Sequence, residues 1–197
     1  MRITVYGASS NAIDDVYINT AEELGRIMAT RGHSLTFGGG ASGVMGAVAR
    51  GVYEKGGKIL GIAPRFFSAD GILFENCTDF IYTETMRERK KLLEDNCDAF
   101  IIAPGGIGTY DELFEILTLK QLGRHVKCMV IYNVNGYYDP LIELLKHGVK
   151  GKFFNQNTID LLFIANTAEE VIDYVESYKG EKKPLTHFKS VNNDLAH

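Results

Sequence analysis

The sequence predicts an α/β fold, a doubly wound parallel sheet of about seven strands with helices on both faces. Strand-like and helix-like patterns alternate from end to end of the 197 residues, with no internal repeat or linker, as βα units do. The run Ala99-Phe100-Ile101-Ile102-Ala103 is apolar without alternation, which suits a strand covered on both faces. Three strands run into turns rich in glycine and serine: Gly7–Asn11, Gly38–Gly43 and Gly105–Thr109. In a parallel sheet such turns share the C-terminal edge, where these folds bind ligands.

Ile3–Tyr6 reads as the first strand, and Ala21, Leu24, Gly25, Met28 and Ala29 form the apolar stripe of the first helix, stopped by Gly32. Ser34–Phe37 is the second strand. Ser42 is placed to cap the helix carrying Met45, Val48 and Ala49. Lys58–Ile62 is the third strand, ended by Pro64, and the segment Arg65–Asn76 reads as irregular and placed to cover the edge. Phe80–Tyr82 is the fourth strand. Thr85 and Glu88 have capping-box spacing, so the next helix starts at Met86. The central strand at 99–103 follows, then a helix with Leu113, Ile116 and Leu117 on one face. Cys128–Tyr132 is the sixth strand, Pro140–Lys146 a helix, Ile159–Ile164 a seventh strand and 168–178 the last helix. This divides the chain into one domain at 1–180 and a polar tail at 181–197.

Composition excludes several classes. The chain is 45% apolar and 23% charged, as in ordinary globular proteins, and its net charge of −4 supplies no basic field for nucleic acid or membrane. No run is long enough for a signal peptide or a membrane span. Cys77, Cys97 and Cys128 lack metal spacing and read as reduced thiols of a cytoplasmic protein. The five histidines are scattered and read as surface residues; no His/Cys/Asp cluster calls for a metal.

The chemistry concentrates around residues 86–112. Pro104 ends the central strand, and Gly105, Gly106 and Gly108 leave no side chain between backbone and ligand. A strand, a glycine turn and a helix N-terminus together make an anion site. The spacing fits neither GxGxxG nor a Walker A loop, and the bland alternative is a tight turn without a ligand. Thr109 adds a hydroxyl, and Glu112 falls in the helix's first turn, where the dipole keeps a carboxylate ionised. Met86, Arg89, Lys90 and Leu93 share one face of the preceding helix. Cations early in a helix oppose its dipole, so Arg89 at the binding edge points to a fixed anionic or ribose partner; the alternative is a solvated basic face paired with Glu88 and Glu94.

Met86-Arg87-Glu88-Arg89-Lys90 followed by Pro104-Gly105-Gly106-Ile107-Gly108-Thr109-Tyr110-Asp111-Glu112 resembles the paired signature M-x-x-R-K and P-G-G-x-G-T-x-x-E of the Lonely Guy family, the cytokinin riboside 5′-monophosphate phosphoribohydrolases. Gly38–Gly46 resembles the family's G-G-G-x-x-G-L-M-G, and Gly7–Ser10, Gln121–Gly123 and Asn133–Tyr138 match further segments. Ile107, Leu119 and Arg87 stand where Tyr, Trp and His are common, positions that touch the base pocket or packing. The resemblance implies a Rossmann-like sheet, a homodimer or larger assembly, and hydrolysis of a nucleoside 5′-monophosphate to free base and ribose 5-phosphate, with no metal and no organic cofactor. It implies Arg89 and Glu112 as the catalytic pair. Gly105, Gly106, Gly108 and Thr109 would hold the phosphate, with Met86 and Ser9-Ser10 near the nucleotide; Gly39, Gly40 and Lys90 complete the candidate substrate-binding set.

An oxocarbenium-like transition state places positive charge on the ribose, which a carboxylate stabilises while activating water. Arginine cannot shuttle protons, so Arg89 is expected to orient Glu112 and the ribose. Tyr137 and Tyr138 read as packing or interface residues. The competing functions are a broader AMP or purine nucleotide nucleosidase and a non-catalytic nucleotide-binding module. A lysine decarboxylase needs a pyridoxal Schiff-base lysine, and no lysine stands in such a context.

Overall fold

The computed structural model describes residues 1–188, with only the backbone at 68–70. Seven strands form one parallel sheet: β1 (Arg2–Tyr6), β2 (Ser34–Phe37), β3 (Ile59–Pro64), β4 (Asp79–Thr83), β5 (Ala99–Ile102), β6 (Cys128–Tyr132) and β7 (Phe163–Ala165). Their order is β4-β3-β2-β1-β5-β6-β7. The chain winds outward from β1 in one direction, then returns to β5 on its other side. The switch point therefore lies between β1 and β5, whose residues 3–6 pair with 99–102.

Alternate residues of each strand feed two cores. On one face Ile3, Val5, Leu35, Phe37, Ile101 and Val130 pack against α1 (Asp15–Thr30), α2 (Gly43–Glu54) and α7 (Ala168–Ser177). On the other, Tyr6, Ile62, Phe100, Ile102 and Ile131 pack against α3 (Met86–Asp95), α4 (Ile107–Gln121) and α5 (Asp139–Lys150). Both faces of β5 are thus buried, which is why its sequence shows no polar alternation. The close approach of α1 and α2 rests on glycine: a Cβ at Gly51 would fall 2.0 Å from the Glu22 carbonyl oxygen.

The expected capping box is present: Thr85 accepts from the Glu88 N–H, and Glu88 accepts from the Thr85 N–H. Three expectations differ. Ser42 precedes α2 but makes no capping bond; the Gly43 N–H is instead satisfied by Asn11 Oδ1 at 2.7 Å, from the first glycine turn. The apolar run at 159–164 divides into the end of a short helix, α6 (Gln156–Ile159), a turn and the three-residue β7, because periodicity alone does not separate a short buried helix from a strand. His33 is buried, bonded to Glu176 Oε1 at 2.8 Å. The expected tail falls partly at 189–197, outside the described residues; before it, Leu185–Phe188 forms a 3-10 turn with Phe188 buried. Among the described residues no helix is long and apolar enough to cross a membrane.

Candidate active site

The C-terminal ends of β1, β2 and β5 open into a cavity of about 520 Å³. Its walls come from all three glycine turns, α3, α4 and the segment after β3. The turns brace one another: the Ala8 N–H donates to the Pro104 carbonyl at 2.9 Å, and the Met45 N–H to the Ala8 carbonyl at 3.1 Å.

Arg89 enters from α3 and Glu112 from α4. Arg89 Nη1 donates to Glu112 Oε1 at 3.2 Å, and Arg89 Nε to the Ile62 carbonyl at 3.3 Å. The two side chains are only 8% and 9% exposed. The path of the guanidinium depends on Gly38, where a Cβ would fall 2.0 Å from Arg89 Nη2. The helix α4 begins at Ile107, so Glu112 sits beyond its first turn, not within it as expected. The dipole argument for an ionised Glu112 therefore fails, because the effect fades within one turn. Burial instead raises its pKa from 4.5 to about 7, against the opposing pull of Arg89 and with some help from Asp111. Glu112 is thus balanced between acid and carboxylate at neutral pH. Tyr6, beneath it, is held well above the usual phenol range by burial and by Glu112.

Of the sequence candidates, Ser9, Gly40, Arg89, Gly106, Gly108, Thr109 and Glu112 all line the cavity. Gly106 and Gly108 face open space, with nothing within 4 Å of a Cβ added at either. Gly105 backs the wall: a Cβ there would fall 2.1 Å from Thr109 Oγ1. The other candidates are not among the lining residues. Ser10 Oγ caps its own turn at the Ala12 N–H. Gly39 takes a left-handed φ of 81° and accepts from the Phe74 N–H. Met86 is exposed at the start of α3. Lys90 pairs with Asp111 at 3.0 Å and Glu115 at 2.8 Å.

Arg65–Asn76 covers the edge as expected, but sequence reading did not name the apolar side chains of the wall. Met45 and Ser42 reach it from α2 and its approach, and Phe67, Ile72 and Leu73 from the segment after β3. That segment starts as the 3-10 turn Arg65–Asp70 and is stitched to the second glycine turn by Ala41 N–H to Ile72 carbonyl and Phe74 N–H to Gly39 carbonyl, both 2.8 Å. Its apolar residues are spaced irregularly, so no period marks them as a wall. The cavity can therefore take an anion at the N-terminus of α4, a polar middle over Arg89 and Glu112, and a flat apolar group against Met45, Phe67, Ile72 and Leu73.

A family model described as "Possible lysine decarboxylase" matches residues 45–175. The chain is 35% identical over 178 residues to the cytokinin riboside 5′-monophosphate phosphoribohydrolase LOG5 of Arabidopsis thaliana, covering 90% of this chain and 78% of that one. It is 34% identical over 177 residues to the probable cytokinin riboside 5′-monophosphate phosphoribohydrolase LOGL3 of Oryza sativa subsp. japonica, covering 90% and 84%. Among solved structures, the molybdenum cofactor binding protein of Rippkaea orientalis aligns with a TM-score of 0.67 at 20% identity, covering 89% of this chain and 94% of that one. At that identity the likeness concerns the fold alone.

Proposed function

This chain belongs to the family of the cytokinin riboside 5′-monophosphate phosphoribohydrolases, and from that premise we propose that it hydrolyses the N-glycosidic bond of nucleoside 5′-monophosphates, cytokinin nucleotides among them, to free base and ribose 5-phosphate. The observation that carries this reading is the buried Arg89–Glu112 pair in one cavity with the N-terminus of α4.

In this reading the 5′-phosphate binds at Gly106–Thr109, with the ribose over Glu112 and the base against Met45, Phe67, Ile72 and Leu73. As the C1′–N bond breaks, its electron pair leaves with the base and positive charge develops on the ribose. The Glu112 carboxylate stabilises that charge and accepts a proton from the water that attacks C1′. The departing base takes a proton from solvent and Glu112 returns its own to solvent, so the net reactant is one water. Arg89 holds Glu112 and partly offsets the effect of burial, keeping an ionised fraction at neutral pH. The phosphate contact positions the substrate. A decarboxylase would need a lysine amine for a pyridoxal aldimine; among the described residues no lysine lines the cavity, so its residues do not fit that cofactor.

The test is incubation with AMP and with isopentenyl-AMP while following free base and ribose 5-phosphate. Release from the second substrate alone supports cytokinin activation, release from both a broader purine nucleotide nucleosidase. Binding of both without release from either leaves a nucleotide-binding module and overturns the proposed hydrolysis.

We further propose a cytoplasmic homodimer with its catalytic domain at 1–180. Leu113, Ile116 and Leu117 of α4 are absorbed by the protomer's own core, but Ile107 and Phe114 on the same helix and Leu122 at its C-cap are 82%, 40% and 49% exposed. A lone species near 21.9 kDa by sedimentation at micromolar concentration removes the dimer.

A further inference from the structure

The loop Pro104–Gly106 carries two glycines, and the buried Pro104 is its only side chain. Two tyrosines from the turn after β6 grip its carbonyls. Tyr137 Oη donates to the Gly105 carbonyl at 2.6 Å, and Tyr138 Oη donates to the Ala103 carbonyl at 2.8 Å.

That turn is built to present them. Asn135 and Gly136 take left-handed φ values of 51° and 71°, and a Cβ at Gly136 would fall 2.7 Å from Asp139 Oδ2. Asn133 accepts from the Tyr138 N–H at 2.7 Å and donates to Asp139 Oδ1 at 2.8 Å. The Tyr137 ring is held edge-on against Tyr17 at 5.7 Å and Tyr138 at 5.0 Å. Burial raises its phenol pKa, so it remains a donor through the neutral range.

The two bonds look alike but act on different peptide units. In a trans peptide the C=O and N–H point in opposite directions. Holding the Gly105 carbonyl therefore aims the Gly106 N–H the other way, and Gly106 lines the cavity. Holding the Ala103 carbonyl aims nothing, because the next residue is Pro104, which has no N–H.

Building on the function proposed above, we propose that Tyr137 is a positioning residue for the phosphate site, its hydroxyl fixing the Gly105–Gly106 peptide so that the Gly106 N–H points at the substrate's 5′-phosphate. Tyr138, by contrast, braces the strand end only.

The test measures ribose 5-phosphate affinity by calorimetry, with melting temperatures and kcat/KM for AMP and adenosine, on the wild type, Tyr137→Phe and Tyr138→Phe. Loss of one hydrogen bond should weaken ribose 5-phosphate binding about 5- to 10-fold in Tyr137→Phe, with a matching fall for AMP and none for adenosine. Tyr138→Phe should melt earlier and keep its affinity within about twofold. In the wild type the Gly106 amide proton resonance should move on titration with ribose 5-phosphate, a readout that does not depend on either variant folding. An unmoved Gly106 amide overturns the proposal, as does wild-type affinity in Tyr137→Phe or an equal loss in both variants. A wild type that binds no ribose 5-phosphate and hydrolyses neither AMP nor isopentenyl-AMP overturns the underlying function, and this inference with it.

Discussion

Two cations one residue apart on α3 pair with carboxylates of α4, and the two sites differ in almost every physical respect. Arg89 and Glu112 meet inside the cavity, each less than a tenth exposed. Lys90 meets Asp111 and Glu115 on the outer surface, with Asp111 58% and Glu115 44% exposed. A single step along a helix turns a side chain by about 100°, enough to carry the neighbour from cavity to solvent. Burial then separates the chemistry. Within the cavity desolvation outweighs the attraction of Arg89 and raises Glu112 to about 7. Outside, hydrogen bonds to Glu115 and Asp111 outweigh desolvation and raise the Lys90 pKa, which favours its ammonium form. A pair that costs free energy to bury is a poor device for stability. Its place in one cavity with the N-terminus of α4 fits the function proposed above.

The sharpest break in this comparison is Glu112→Gln, which keeps shape and removes charge. We expect kcat to fall by about 10²-fold or more with nucleotide Kd nearly unchanged, since the lost interaction strengthens in the transition state. Near-wild-type kcat with only an earlier melt would reduce Glu112 to a structural residue.

Next in size is Arg89→Ala. Without its guanidinium Glu112 faces desolvation with less compensation, so its pKa should move further up and neutral-pH kcat/KM should fall about tenfold or more. The activity limb should shift to higher pH; a limb that stays in place would show that Arg89 does not tune Glu112.

The pH dependence of the wild type follows with its sign. In the proposed reaction Glu112 works as a carboxylate, so kcat/KM should rise with pH and level off above about 7. Stability should run the other way. A carboxyl whose folded pKa is raised binds its proton more tightly when folded, so stability is lost as pH climbs from 4.5 to about 7. On the order of 3 kcal/mol is involved, read as the growing melting advantage of Glu112→Gln over that window. An advantage that does not change with pH would contradict the buried-carboxyl account.

The smallest effect belongs to Lys90→Ala. A surface pair contributes about 0.2–1 kcal/mol and less at high salt, with kcat and KM within about twofold of wild type. A large rise in KM would mean that Lys90 leaves Asp111 and Glu115 to reach the substrate.

Much of the architecture was legible because it depends on short-range pattern. The apolar run at 99–103, the stripe Ala21-Leu24-Met28 and the Thr85–Glu88 capping box each name their element from a handful of neighbouring residues. The glycine turns and the positions of Arg89 and Glu112 on successive helices were equally plain. Boundaries proved less legible: with α4 starting at Ile107, a dipole argument that depended on one turn of offset gave the wrong protonation tendency for Glu112.

By itself the sequence determined a parallel α/β sheet with its glycine turns on one edge, because strand and helix periods, turn chemistry and the right-handed crossover are local or nearly so. Only the tertiary structure decided what those turns enclose. Strand order puts β1 beside β5, so residues 38, 89 and 112, far apart in the chain, come to share one cavity. It also decided which of two adjacent cations is buried, that Asn11 caps α2 in place of Ser42, and that Tyr137 holds the Gly105 carbonyl from 32 residues away. Burial and long-range hydrogen bonding depend on the whole set of neighbours in space, and no window of sequence contains that set.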